Sequence, residues 1–275
     1  MGDSGGDANA GDGETPVHEV MVSEFSIDAT TVTNDDFARF VDDTGYRTDA
    51  ETFGFSAVFH LAVTAPSSDV LSAVPGVSWW WGVAGASWRH PGGRNSDVDG
   101  LGDHPVVHVS WNDATAYCEW AGRALPTEAQ WERAARGGLD RARYPWGDEL
   151  LVDGTWRCNI WQGEFPGRND LEDGFLTTAP VRTYQPNAYG VWQAVGNVWE
   201  WCADWFHHRT YARAGDLAED PGGPRWGLER VMRGGSYLCH ESYCNRYRVA
   251  ARSSSTPDSS TGNCGFRVAA DAPQR

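Results

Sequence analysis

Apolar and polar residues alternate over HEVMVSEFSI, residues 18–27, with Val20, Val22, Phe25 and Ile27 on the apolar side. Period two predicts a half-buried strand. From Thr33 the spacing lengthens: in TNDDFARFVDDTGY, Phe37, Phe40 and Val41 fall on one helical face. Thr33 suits the N-cap, Asp35 and Asp36 suit the positive end of the helix, and Gly45 suits a left-handed C-cap. SWNDATAYCEWAGR predicts a second helix, with Tyr117, Trp120 and Ala121 at helical spacing and Gly122 as its end. LPTEAQWERAARGG predicts a third, because Thr127 and Gln130 stand at capping-box spacing and Gly137 and Gly138 stop it.

Beyond residue 140 only short apolar stretches remain, cut by Gly, Pro, Asn and Asp, which predicts small strands and long ordered loops. The expected fold class is therefore α+β: one loop-rich, Trp-rich domain with three helices, few strands and no internal repeat. Residues 1–15, a Gly/Asp/Ser/Ala tract, are expected to be a disordered leader, and residues 16–275 the domain. A loop-rich domain needs more than regular ladders to fix its backbone, and buried Trp and bound cations can supply that.

Composition narrows the function. At 275 residues, with 40% apolar residues and 15 Trp, the chain can build a core without a disulfide scaffold. No apolar run approaches the ~18 residues of a membrane span, and the first residues carry no signal-peptide pattern, so a soluble cytoplasmic protein without membrane partners is expected. The formal charge is −16 and every base is Arg, which excludes nucleic acid as a natural partner. The His residues show no chelate spacing. Cys118, Cys158, Cys202 and Cys264 read as buried apolar thiols, with a Cys118–Cys264 bridge conceivable.

Chemistry concentrates in RGGSYLCHESYCNRYRVAARSSSTPDSSTGNCGFRVA, residues 233–269. Cys239 and Cys244 stand five positions apart, a rotation of ~500° on a helix and opposite faces on a strand, so only a turn brings them together. By spacing alone they are a local disulfide, two small core residues, or two soft ligands for an ion of low coordination number such as Cu(I). Zn²⁺ fits less well because a structural zinc site wants four ligands.

This segment closely resembles the C-terminal signature of the formylglycine-generating enzymes, or sulfatase-modifying factors. SWWWGVAGASWRHPGG, HPVVHVSWNDATAYCEWAGRALPTEAQWERAARGG, PWGDE, NIWQGEFP, EDGF, TAPV and GNVWEWCADWF match in the family's order, from about Val17 to Ala269. The resemblance implies a bacterial-type enzyme with a single compact domain related to C-type lectins. It implies that Cys239 and Cys244 bind Cu(I) as a linear bis-thiolate, with a substrate cysteine as third ligand and O₂ as oxidant. The implied substrate is Cys-x-Pro-x-Arg in an unfolded sulfatase, converted to Cα-formylglycine with a thiol reductant by a monomeric oxidoreductase. Ser236 and Tyr243 match catalytic-cleft positions, and Trp199, Ser260 and Asn263 match substrate-binding ones. By residue type alone, Ser236 and Tyr243 are equally turn hydroxyls and Trp199 equally core.

The resemblance also implies two structural Ca²⁺ sites. One would use Asn159, Ile160, Asp173 and Phe175; the other Gln193, Ala194, Gly196, Val198 and Glu200, with Gln193 where the family often has Asn. Ala135, Val249 and Val268 stand where some members carry further disulfides. Two rivals are an iron-dependent sulfoxide synthase, which needs a helical bundle this sequence lacks room for, and a non-catalytic lectin-like module.

Overall fold

Thirteen short strands and four α-helices are found among the described residues, 1–213 and 217–271, of this computed structural model. The alternating stretch at residues 18–27 forms two strands, β1 (Glu19–Met21) and β2 (Phe25–Ile27), which join different sheets. Helix α1 (Asn34–Thr44) carries the expected caps: Thr33 accepts from the Asp36 amide, and Gly45 adopts φ 67°. Helix α2 (Asp49–Phe53) was not expected. It is too short to show a period, although Thr48 and Glu51 form its capping box.

Next come β3 (Phe55–Phe59), β4 (Val70–Val74) and β5 (Val77–Ala84), an antiparallel sheet in the order β3-β5-β4. Helices α3 (Trp111–Ala121) and α4 (Glu128–Ala135) follow with Ser110 and Thr127 as caps, and Gln130 closes the capping box on Thr127. The apolar face of α3 differs from expectation, since Ala114, Tyr117 and Cys118 are buried while Trp120 and Ala121 are exposed. So four helices replace the expected three.

The second half is short-stranded, as expected: β6 (Gly163–Glu164), β7 (Arg168–Asn169), β8 (Trp199–Trp205), β9 (Leu217–Glu219), β10 (Arg230–Arg233), β11 (Arg252–Ser255), β12 (Cys264–Gly265) and β13 (Ala269–Asp271). The central sheet runs β11-β10-β8-β12. Its register sets Arg233 beside both Glu200 and Arg252, and Cys264 beside Trp199. The expected domain end at 275 lies outside the described residues.

The main core joins Phe37, Phe40, Trp88 and Tyr117 to Trp131, Trp201 and Phe266, all on this single domain. A smaller cluster of Phe59, Trp161, Tyr237 and Leu238 lies under the cysteine turn. Four Arg side chains, Arg233, Arg248, Arg252 and Arg267, are also fully buried. Each is matched by a carboxylate, as a buried guanidinium requires: Glu128 and Glu132 for Arg233, Glu14 for Arg248, Glu128 for Arg252, and Glu200 for Arg267.

Glu14 belongs to the stretch expected to be a disordered leader. Instead, residues 1–15 pack on the domain: Glu14 is buried against Arg248, and Asp7 and Asp12 pair with Arg143 and Arg246. Low hydrophobicity predicted disorder, but this segment docks through buried charge pairs and backbone bonds rather than apolar area.

Candidate active site

The turn that carries both cysteines starts where β10 ends. Gly235 has φ 72°, and a Cβ there would fall 2.7 Å from the Arg246 carbonyl oxygen, so the chain returns through a space only glycine leaves. The Cys239 amide donates to the Ser236 carbonyl at 2.9 Å. The amides of Tyr243, Cys244 and Asn245 all converge on the His240 carbonyl, at 3.0, 3.0 and 3.1 Å. This folding-back brings the two thiols, both buried and both free, onto the wall of one cavity.

Burial pushes the Cys239 thiol well above its ordinary range. The neighbouring Cys239 thiol holds Cys244 below its ordinary value, and the backbone and charge of Arg246 add to that. Of the two sulfurs, Cys244 is the one more readily ionised. Among the described residues no group of three or more His, Cys, Asp or Glu could hold a metal ion. Two buried soft donors without a third fit Cu(I), and they do not fit tetrahedral zinc.

The pair opens on a cavity of about 170 Å³, with Trp199, Ser236, Tyr243 and Asn263 on its walls. Ser236 is fully buried and takes hydrogen bonds from Asn263 Nδ2 at 2.8 Å and the Leu238 amide at 3.3 Å. Asn263 Oδ1 accepts from Thr261 at 2.7 Å, so its amide braces the wall from both ends. Tyr243 is 40% exposed. Its ring stacks on Phe165 at 4.4 Å and meets the edge of Trp79 at 5.0 Å, and burial with the nearby cysteines pushes its phenol up to about 12. Trp199 belongs to the core and to the cavity wall at once.

Ser260 does not line this cavity. Its hydroxyl and carbonyl are bonded to the Ser56 hydroxyl at 2.8 and 2.9 Å, and Thr261 takes the place on the cavity wall. The wall also includes Trp80, Met232, Arg246 and Cys264, which the sequence reading did not assign to it. Arg246 could have been noticed from its place two residues after Cys244; Trp80 and Met232 come from β5 and β10 and gave no local signal. Cys118 and Cys264 are free, so the conceivable bridge is not formed; Cys264 Sγ contacts Met232 Sδ at 3.6 Å. A larger concavity of about 920 Å³, bordered by Phe206, Tyr211 and Trp226, holds none of the expected site residues. Volume alone is not chemistry, and the small cavity carries the thiols.

The residues expected at the first calcium site come together. The Ile160 amide donates to Asp173 Oδ2 at 2.9 Å and the Phe175 amide to Asp173 Oδ1 at 3.0 Å. The Gln162 amide nitrogen contacts both the Ile160 carbonyl and Asp173 Oδ2, so these oxygens share one point. Asn159 Oδ1 is buried without a hydrogen-bond partner, and so is Gln193 Oε1 of the second set. Orphaned buried oxygens are what a hard cation satisfies. Ala194, Gly196 and Val198 follow Gln193 on the same buried loop, and the Asn197 amide donates to the Asn159 carbonyl at 2.8 Å, which joins the two sets. The Glu200 carboxylate does not fit this role: it takes Arg267 Nε and Nη2 at 2.6 Å each and Trp131 Nε1 at 2.7 Å.

Residues 2–272 match the family model described as sulfatase-modifying factor enzyme 1-like domain. The formylglycine-generating enzyme of Streptomyces coelicolor is 63% identical over 272 residues, covering 99% of this chain and 86% of that protein. Its counterpart from Thermomonospora curvata is 57% identical, covering 98% and 90%. Among solved structures, PvdO from Pseudomonas aeruginosa shares the fold, with a TM-score of 0.70 at 22% identity over 99% of this chain and 90% of that one.

Proposed function

This chain belongs to the family of sulfatase-modifying factors, the formylglycine-generating enzymes, and from that premise we propose that it oxidises a cysteine of an unfolded sulfatase to Cα-formylglycine with copper and O₂. The observation that carries the reading is the pair of free, buried thiols of Cys239 and Cys244 on the wall of one cavity. A non-catalytic module of this fold has no use for two unbridged thiols at that place.

In this reading Cys239 and Cys244 would hold Cu(I) as soft sulfur donors, and the substrate cysteine enters the cavity that they line. Bound there, Cu(I) supplies one-electron exchange with O₂, which thiols alone do not offer. Asn263 fixes the Ser236 hydroxyl at the wall, where it can orient a small polar molecule. Tyr243, braced by Phe165 and Trp79, presents a neutral phenol as a hydrogen-bond donor to the substrate side. Trp80 and Trp199 line the cavity with apolar surface and keep bulk water from the sulfur chemistry.

The redox balance closes with two equivalents of an external thiol, which leave as a disulfide. Reduction of O₂ to water takes four electrons: two leave the substrate side chain as its CH₂–SH becomes a thioaldehyde, and two come from the reductant. Water then adds to the thioaldehyde, and sulfur leaves as hydrogen sulfide. The substrate motif in this reading is Cys-x-Pro-x-Arg, the acting species is a monomer, and the compartment is one where thiols stay reduced, consistent with six free cysteines. The loops around Asp173 and Gln193, with the unpartnered oxygens of Asn159 and Gln193, would hold two structural Ca²⁺ ions.

The test is mass spectrometry of a Cys-x-Pro-x-Arg peptide incubated with copper-loaded protein, O₂ and a thiol. Conversion to an aldehyde that reacts with aminooxy probes supports the reading. An unchanged peptide with copper-loaded, folded protein defeats it.

A further inference from the structure

Residues 9–14 cross the turn that carries Cys244. Asn9 Nδ2 donates to the Cys244 carbonyl at 3.0 Å. Asp12 grips Arg246 with both carboxylate oxygens, Nε to Oδ2 at 2.5 Å and Nη2 to Oδ1 at 3.0 Å. This strap is itself anchored: Arg252 Nη1 donates to the Gly13 carbonyl at 3.0 Å, and Glu14 takes Arg248 Nη1 and Nη2 at 2.8 and 3.0 Å in a fully buried pair. At Gly13, φ is 71° and a Cβ would fall 2.2 Å from the His208 carbonyl oxygen, so the strap follows a path only glycine permits.

The strap decides where Arg246 stands. Among the residues lining the cysteine cavity, Arg246 is the one with an Asp, Glu, Lys or Arg side chain; Asp12 is outside the wall. The grip by Asp12 engages Nε and Nη2, leaving Nη1 with no hydrogen bond to a described residue. A planar guanidinium held in this fork has its direction fixed, which a free Arg on a turn does not.

Two thiolates around one monovalent cation carry a net negative charge, and a substrate thiolate adds another. That charge would sit in a partly dry cavity, where an uncompensated anion is costly. We propose that Arg246 is the fixed counter-charge of the Cys239–Cys244 site, and that Asp12 is the positioning residue that holds its guanidinium at the cavity wall. This rests on the reading of the two cysteines as a Cu(I) site. It gives residues 9–14 a role in the chemistry: they set the electrostatics of the cavity and, through Asn9, the backbone of one ligand.

The experiment compares the full chain with Arg246→Gln, Arg246→Lys and Asp12→Asn. Three quantities are measured: Cu(I) affinity by competition with a colorimetric chelator, melting temperature, and KM and kcat for a Cys-x-Pro-x-Arg peptide. Arg246→Gln is expected to weaken Cu(I) binding at least tenfold and to raise KM for the peptide. Arg246→Lys should recover most of the copper affinity, and Asp12→Asn should fall between. Cu(I) affinity and KM equal to the parent chain's in Arg246→Gln overturn the proposal, as does a loss that Arg246→Lys fails to recover although it melts with the parent. Should Arg246→Gln not fold, Asp12→Asn decides on the same readouts, and an unaltered Cu(I) affinity there overturns it. A parent chain that takes up no Cu(I) overturns the site reading itself, whereas parent uptake with unaffected variants overturns this proposal alone.

Discussion

Arg252 holds Glu128 in a two-point grip, Nε to Oε1 at 2.6 Å and Nη2 to Oε2 at 2.9 Å, with both side chains withdrawn from water. Arg233 Nη1 joins on the same Oε1 at 2.9 Å, so one carboxylate from α4 ties β10 to β11. Glu128→Ala leaves two buried guanidinium groups short of a partner and should cost about 3–5 kcal/mol. The urea midpoint at unchanged slope measures it. Burial opposes ionisation of Glu128, but Arg252 and Arg233 outweigh it and hold its carboxyl below the ordinary value of 4.5. Its stabilisation is therefore full above that value and lost as pH falls through the depressed folded one.

Asp204 has the opposite sign. Burial first, then the charge of Glu128, raises its carboxyl to about 7, although the Glu128 amide donates to its Oδ2 at 2.7 Å. The fold favours the protonated form, so this group lowers stability as pH rises from its unfolded value of about 3.9 towards 7. Asp204→Asn keeps an oxygen for the Glu128 amide and removes the titration. The variant's advantage over the parent should grow from pH 5 to pH 7 by roughly 1–3 kcal/mol, read from urea midpoints. A constant difference across that range would contradict the assignment.

Cys239→Ala and Cys244→Ala should each abolish peptide conversion and Cu(I) uptake. Removing one small buried sulfur should cost only about 1–2 kcal/mol of stability. Turnover by either variant at the parent rate would remove the cysteine pair from the mechanism.

Gly235→Ala places a methyl 2.7 Å from the Arg246 carbonyl oxygen at a φ of 72°. The expected cost is about 1–3 kcal/mol. Because the carbonyl that must move belongs to the cysteine turn, copper uptake should fall along with the melting temperature. A loss of stability with full copper uptake would show the turn to be more tolerant than its geometry implies.

Calcium at the Asp173 and Gln193 loops should stabilise the native state only. An ion at a hundred times its Kd adds about 2.7 kcal/mol, so chelation should lower the melting temperature. Asp173→Ala should lower it and blunt the response to chelator. Equal melting with and without EDTA in the parent chain would count against both sites.

Much of this protein is written locally. Thr33, Ser110 and Thr127 cap their helices, and Gly45 and Gly122 end α1 and α3 in left-handed conformations. These features depend on residues three or four positions apart, which is the range a sequence pattern reports. The cysteine spacing required a turn for the same reason, and the His240 carbonyl now provides its pivot. Motif resemblance placed the thiols, Ser236, Tyr243, Trp199 and Asn263, all of which line one cavity.

What the tertiary structure alone decided are relationships across long stretches of chain. Glu14 meets Arg248 across 234 positions, and Glu200 meets Arg267 across 67. Charge pairing has no period, so the docking of residues 1–15 and the engagement of the Glu200 carboxylate by Arg267 were invisible along the sequence. The exchange of Ser260 for Thr261 at the cavity wall depends on Ser56, a partner from β3. Local chemistry names the groups that could act; closure of the fold decides which of them are already engaged elsewhere.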